Sequence, residues 1–192
     1  MKIGLYFGSF NPVHNGHLII AKHVINNTDL KQVWMVISPQ NPLKNSNSLL
    51  NKYDRLNMVQ SALEGETKIK ASTIEFNLPT PSFTIDTLAY LKEKHKQHQF
   101  SIIMGSDSFT NIKKWKNYEM IIKNYEIYIY QRTGYPIQNI EETIVNKLEA
   151  PLIEISSSAI RKIIKDGKSI RYLVPDVVDQ QIKENKYYKK KL

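Results

Sequence analysis

The 192-residue chain contains no cysteine. Disulfides are therefore excluded, and a reducing, cytoplasmic setting is the expectation. No apolar run approaches the roughly 20 residues of a spanning helix, so no membrane segment is expected. A leader peptide is not expected either: Gly4, Gly8 and Asn11-Pro12 interrupt the first apolar stretch, which reads as a core strand. No internal repeat, linker or composition break divides the chain. Residues 1–192 are thus expected to form one domain, with a C-terminal helical part from about 156 to 192.

What is present is a core and an excess of cations. Apolar residues make up 41% of the chain, enough for a substantial core and too many for a disordered one. The formal net charge is +9, from 27 Lys and Arg against 18 Asp and Glu, which suits polyanionic partners such as nucleotides. Nucleic acid fits that sign too. But the lysines are spread along the chain, apart from a cluster at Lys186–Lys191 with Tyr187 and Tyr188 among it. A solvated Lys-rich surface accounts for them equally well.

The stretch Gly8-Ser9-Phe10-Asn11-Pro12-Val13-His14-Asn15-Gly16-His17 organises the rest. An apolar run, Ile3–Phe7, leads in, and a periodic run, Leu18–Ile25, leads out. This pattern predicts a buried strand, a tight turn and a helix with His17 in its first turn. Helix-start N–H groups favour an anion. Gly8 removes a Cβ where a ligand could approach, and Pro12 stiffens the turn. His14 and His17, three apart, can both donate to phosphate oxygens, more strongly when protonated. The same spacing occurs in zinc sites, but there is no Cys, and no third His or carboxylate cluster lies nearby in sequence.

These ten residues resemble the G-x-F-[DN]-P-x-H-x-G-H signature of the nucleotidylyltransferase superfamily, most closely its bacterial nicotinate-nucleotide adenylyltransferase branch. Near the other end, Ile155-Ser156-Ser157-Ser158-Ala159-Ile160-Arg161 resembles the superfamily's second signature, I-S-S-[ST]-x-I-R. Three hydroxyls at a helix start and an Arg one turn on suit phosphate oxygens. The resemblance implies that His14, His17 and Arg161 are catalytic. It implies that Gly8, Ser9, Phe10, Gly16, Gly105, Asp107, Ile155 and Ser156–Ser158 help to bind ATP, with Mg2+ accompanying it.

Between the signatures, Pro81–Leu88 is similar to the family's [ST]-[FY]-T-x-D-T-L motif, with Ser82 or Thr84 able to cap the helix. In the family, N–H groups near the position of Thr84 bind a pyridine carboxylate. Gly105-Ser106-Asp107 matches a G-x-D motif. There Asp107 suits ribose hydroxyls better than phosphates, which it would repel; a helix N-cap is its simpler role. Trp115, in Lys113-Lys114-Trp115-Lys116, falls where the family stacks an aromatic on the pyridine ring. Lys44, in the polar stretch 39–50, and Arg132, in a Gly134 turn, complete the expected contacts to the second nucleotide. Arg55 and Met58 match an R-x-x-M pattern, with Arg55 a structural or helper residue. Tyr172-Leu173-Val174-Pro175 matches a closing L-V-P segment. His95 and His98 repeat the three-residue spacing without a turn, and read as surface residues. Gly167-Lys168-Ser169 lacks the earlier Gly of a Walker loop and is a turn.

Strands are predicted at 3–7, 32–38, within 69–76, and at 100–104, 125–130 and 152–155, with helices between, including one at 137–148. Their alternation predicts an α/β fold, a doubly wound parallel sheet with helices on both faces. The resemblance makes it Rossmann-like, in the order 3-2-1-4-5. The reaction implied is adenylyl transfer from ATP to nicotinate mononucleotide. Nicotinamide mononucleotide or phosphopantetheine are the neighbouring acceptors, although phosphopantetheine enzymes usually carry Thr at the position of His14. A basic nucleic-acid-binding module is the distant alternative and leaves both signatures unexplained. Oligomeric state stays open, a homo-oligomer included.

Overall fold

The computed structural model describes residues 1–40, 42, 48–137 and 143–189. Six parallel strands form one sheet in the order β3-β2-β1-β4-β5-β6. They are β1 (Lys2–Gly8), β2 (Gln32–Ile37), β3 (Ile69–Ser72), β4 (Gln99–Gly105), β5 (Ile127–Tyr130) and β6 (Val145–Leu148). The order 3-2-1-4-5 is as expected; a sixth strand extends it. Among the described residues seven α-helices accompany the strands: α1 (Asn15–Asn27), α2 (Lys52–Ala62), α3 (Thr84–Lys94), α4 (Ser106–Thr110), α5 (Tyr118–Asn124), α6 (Ser157–Lys165) and α7 (Asp176–Glu184).

Period-two alternation sorts the core. On β1, Ile3 and Leu5 face a cluster with Leu88 and Leu91 of α3, Phe109 of α4 and Ile121 of α5. Tyr6 faces the other cluster, with Val24 of α1, Met58 of α2, Ile160 of α6 and Val178 of α7. Helices thus cover both faces, as buried parallel strands require.

Two predicted elements are wrong, and in adjacent places. The segment expected as helix to residue 148 contributes β6 instead, with Val145 opposite Ile127 of β5. Its apolar residues Ile137, Ile144 and Leu148 imitate a helical repeat, but Thr143, Ile144 and Val145 are β-branched, and an open sheet edge was there to pair with. Residues 138–142 of that predicted helix lie outside the described residues. The strand expected at 152–155 is irregular chain leading into α6, because β6 already occupies the edge.

From β1 the chain builds outward one way through β2 and β3, then returns to β4 on the other side. The switch point therefore lies between the carboxyl ends of β1 and β4, where such sheets hold ligands.

Candidate active site

A cleft of about 920 Å³ opens at that switch point. Gly8, Ser9, Phe10, His14 and His17 line it from the first signature, and Ser156, Ser157, Ser158 and Arg161 from the second. Thr84, Gly105, Asp107, Trp115 and Arg132 line it from the middle of the chain. Two expected site residues stand behind its wall: Gly16 is buried in α1 and Ile155 packs on the core. Lys44 lies outside the described residues.

The first signature is built around Phe10, whose φ of 46° puts it in the left-handed region. Its ring, 2% exposed, folds back over β1. A Cβ on Gly8 would lie 2.8 Å from that ring, so Gly8 makes room for Phe10 while also lining the cleft. Phe10 then meets the His17 ring edge-on at 5.0 Å.

The two imidazoles are not equivalent. They stack at 3.6 Å between centroids, 27° apart. His14 is 2% exposed, and its Nδ1 has no hydrogen-bond partner among the described residues. Burial, aided by the nearby Arg132 charge, holds its pKa at about 3. His14 is therefore neutral at physiological pH in the ligand-free protein, where it can donate but without the added strength of a protonated ring. The His14 backbone N–H donates to His17 Nδ1 at 3.3 Å. That bond places the proton of a neutral His17 on Nε2.

The far end of the chain closes on this turn. Arg161 Nη1 donates to the Asn11 carbonyl at 2.7 Å, and Ser157 Oγ to the Pro12 carbonyl at 2.9 Å. Ser156 caps α6 by accepting from the Ala159 N–H. The Leu173 carbonyl of the closing segment accepts from the Asn15 N–H at the start of α1. Both signature helices thus begin at one place and present their N-terminal donors there.

On the other side of the cleft, α3 begins at Thr84 with Phe83 at the cap position and no side-chain cap. Ser82, expected as a cap, instead donates to Glu75 at 2.6 Å, and Thr87 donates to the same carboxylate at 2.9 Å. Glu75 is 2% exposed, and these two hydroxyls compensate its burial. Trp115 is half-buried against the α3–α5 cluster. Its neighbour Lys116 reaches Asp86 of α3 at 2.9 Å and lies 5.0 Å above the Phe83 ring. The indole is thereby tied to the start of α3.

At the end of β4, Gly105 occupies the cap position of α4, so Asp107 is not the cap. A side chain at residue 105 would collide with Asp107 and approach the Tyr130 ring to 3.1 Å. Asp107 lies 4.0 Å from Arg132 Nε, and Arg132 sits over the Tyr130 ring while donating to the Ile153 carbonyl. Tyr130 and Tyr6 share a buried hydroxyl–hydroxyl bond of 3.1 Å, and burial raises both phenols. No motif announced this pair, or Glu75.

Arg55 is 1% exposed, and it donates to the carbonyls of Leu50, Ser9, Ser38 and Pro39. Burial lowers its pKa to about 10, so it stays charged. It holds the first signature, the end of β2 and the start of α2 together. His95 and His98 are not simple surface residues: they stack on each other and pack edge-on against Phe100.

A doubly wound sheet whose switch point carries two helix starts, two arginines and stacked imidazoles defines a nucleotide-binding α/β protein. The cytidylyltransferase-like family model matches residues 5–163. The chain is 50% identical to a probable nicotinate-nucleotide adenylyltransferase of Flavobacterium johnsoniae, over 99% of this chain and all of that one. It is 37% identical to that of Bacteroides fragilis, over 94% of this chain and 90% of the relative. Its fold is similar to the solved Plasmodium falciparum nicotinic acid mononucleotide adenylyltransferase complexed with NaAD, with a TM-score of 0.80, 24% identity and 97% of each chain covered. The chain belongs to the nicotinate-nucleotide adenylyltransferase family, within the cytidylyltransferase-like group. Among the described residues, no helix is long and apolar enough to cross a membrane.

Proposed function

We propose that this chain transfers the adenylyl group of ATP to nicotinate mononucleotide in the cytoplasm, as one functional unit. The observation that carries this reading is the closure of the second signature on the first, through Arg161 to Asn11 and Ser157 to Pro12. It gathers cationic and helix-start donors around one volume. The relatives' name supplies the acceptor.

An oxygen of the mononucleotide 5′-phosphate attacks the α-phosphorus of ATP. The bond from that phosphorus to the α,β-bridging oxygen breaks, and pyrophosphate leaves with the electron pair. The nucleophile is already ionised, so no strong base is required. What the protein supplies is alignment, for which orientation can provide about 7–11 kcal/mol in favourable cases. His17, Arg161, Ser156–Ser158 and the N-termini of α1 and α6 hold the triphosphate. His14 serves as a neutral donor. Lys114, Lys116, Arg132 and Arg161 outnumber the two carboxylates of the cleft, Glu75 and Asp107, and offset the repulsion between two polyanions. Arg132 faces the mononucleotide phosphate and Asp107 the ribose; for Lys44 a role at the same phosphate rests on the family resemblance alone.

Mg2+ enters with ATP as part of the substrate. Among the described residues no group of three or more His, Asp or Glu is placed to hold a metal. Mg2+ commonly rests on substrate phosphates and water. Trp115 stacks on the pyridine ring, and the uncapped start of α3 near Thr84 offers N–H donors to its carboxylate, which prefers that site over a neutral amide.

The test is pyrophosphate release with ATP and nicotinate mononucleotide, nicotinamide mononucleotide or phosphopantetheine in parallel. The acid mononucleotide should be fastest. His17→Ala should lower kcat by about 10²–10³, the cost of one transition-state donor, with little change in Tm. No release with any acceptor, or equal loss of turnover and stability, would overturn the assignment.

A further inference from the structure

One motif residue does more than receive Arg161. Asn11 is 4% exposed and has four partners from three separated parts of the chain. Its carbonyl accepts from Arg161 at 2.7 Å. Its Nδ2 donates to the Ser48 carbonyl at 2.9 Å, and its Oδ1 accepts from the Leu50 N–H at 3.2 Å. The fourth partner comes from the end of the chain: Tyr188 Oη donates to Asn11 Oδ1 at 2.9 Å, across 177 residues.

The path that delivers Tyr188 is costly and specific. Lys186 and Tyr188 both have positive φ, 54° and 62°, a region that non-glycine residues seldom occupy. A solvated tail would relax out of it. Here Tyr187 N–H bonds to the Ile182 carbonyl, and both tyrosine rings pack on the α1–α2–α6–α7 core. Helix α7 is itself docked on α2, where Gln181 donates to Ser61. Burial raises the pKa of the Tyr188 phenol, and the charges of Arg161 and Arg55 only partly oppose that rise. Tyr187 and Tyr188 therefore form a built strap, while Lys186 and Lys189 beside them stay exposed.

We propose that Tyr188 is a positioning residue for the triphosphate end of the site, acting through Asn11. Its hydroxyl gives Asn11 Oδ1 a second donor and so locks the amide in one orientation. With the amide locked, the backbone carbonyl of Asn11 is held where Arg161 binds it, and the guanidinium is held in the cleft that His14 and His17 also line. Tyr188 is not among the residues lining the cleft, so its effect reaches ATP only through these partners. This rests on the adenylyl-transfer reading for its kinetic consequence, but not for its structural one.

The experiment uses the full chain and Tyr188→Phe, which keeps the ring and removes only the hydroxyl. Loss of one ordinary hydrogen bond corresponds to about fivefold, and kcat/KM for ATP should fall by about that factor. The affinity for a non-hydrolysable ATP analogue, measured by calorimetry, should fall too. KM for nicotinate mononucleotide should stay near wild type, and Tm should fall by no more than about 2–4 °C, the cost of the one hydrogen bond. In an Asn11→Ala background the added Tyr188→Phe should cost nothing further. Unchanged kcat/KM and unchanged analogue affinity would overturn the proposal. So would losses shared equally by both substrates along with a larger fall in Tm, which mark a merely structural role. Should Asn11→Ala fail to fold, the calorimetry of Tyr188→Phe decides alone. A wild-type protein that binds the analogue yet releases no pyrophosphate would sink the transferase reading and leave the strap to be judged by affinity.

Discussion

His14 should make the free protein sensitive to mild acid, and the size of the effect can be worked out. In the folded chain its pKa is about 3, chiefly because the ring is buried. In the unfolded chain it returns to about 6.5. Between those values the unfolded state binds a proton that the folded state refuses, so stability falls as pH falls. The contribution is complete above pH ~6.5 and declines through that value. It reaches a loss of ~2 kcal/mol at pH 5 and approaches ~5 kcal/mol below pH 3. Carboxylates with lowered pKa values, such as Asp29 and Glu66, lose their contribution in the same direction. Their window lies lower, near the ordinary carboxylate range, so the interval from pH 8 to pH 5 excludes the carboxylates. Urea unfolding of ligand-free protein at pH 8, 7, 6 and 5 gives the slope. The same series on His14→Asn, which cannot titrate, should be flatter by about 2 kcal/mol across the interval, whatever its absolute stability. Parallel slopes would show that His14 is not held neutral, and the assignment of a neutral donor would fall with it.

Arg55→Met should cost about 3 kcal/mol or more in urea unfolding, because four carbonyls lose a charged donor at once; a loss under about 1 kcal/mol would contradict that role. Arg55→Lys should recover only part of it, since an ammonium cannot span the same acceptors. Trp115→Ala should raise KM for nicotinate mononucleotide by about two- to tenfold, the range of an aromatic contact, with KM for ATP unchanged. Lys116→Ala breaks a pair that is about half exposed, 45% and 46%, so stability should move by less than about 0.5 kcal/mol. If the pair orients Trp115, the same substitution still raises KM for the mononucleotide in steady-state assays.

Much of this molecule is written locally. The passage from Ile3–Phe7 through the signature turn to α1 follows from hydrophobic period and turn chemistry. Five strands fall where apolar runs predict them. The order 3-2-1-4-5 and the pairing of the two signatures follow from resemblance to a family, and the sheet agrees. The failures sit where a local rule had two answers. Residues 143–148 combine a helical repeat with β-branched side chains, and only the vacant edge of β5 chose between them. Ser82 was an acceptable cap for α3, but a buried Glu75 seven residues earlier took its hydroxyl.

The amino-acid order by itself determined which residues could meet a polyphosphate: two imidazoles at a strand end, three serines and an arginine at a helix start. Tertiary structure decided what those groups became. Burial made His14 neutral while its stacked neighbour His17 took a defined tautomer, and the room left by Gly8 went to Phe10. Contacts between residues more than a hundred positions apart brought Arg161 and Tyr188 onto Asn11. The physical reason is that side-chain type and spacing act over a few residues, whereas desolvation and long-range hydrogen bonding depend on which distant surfaces the folded sheet brings together.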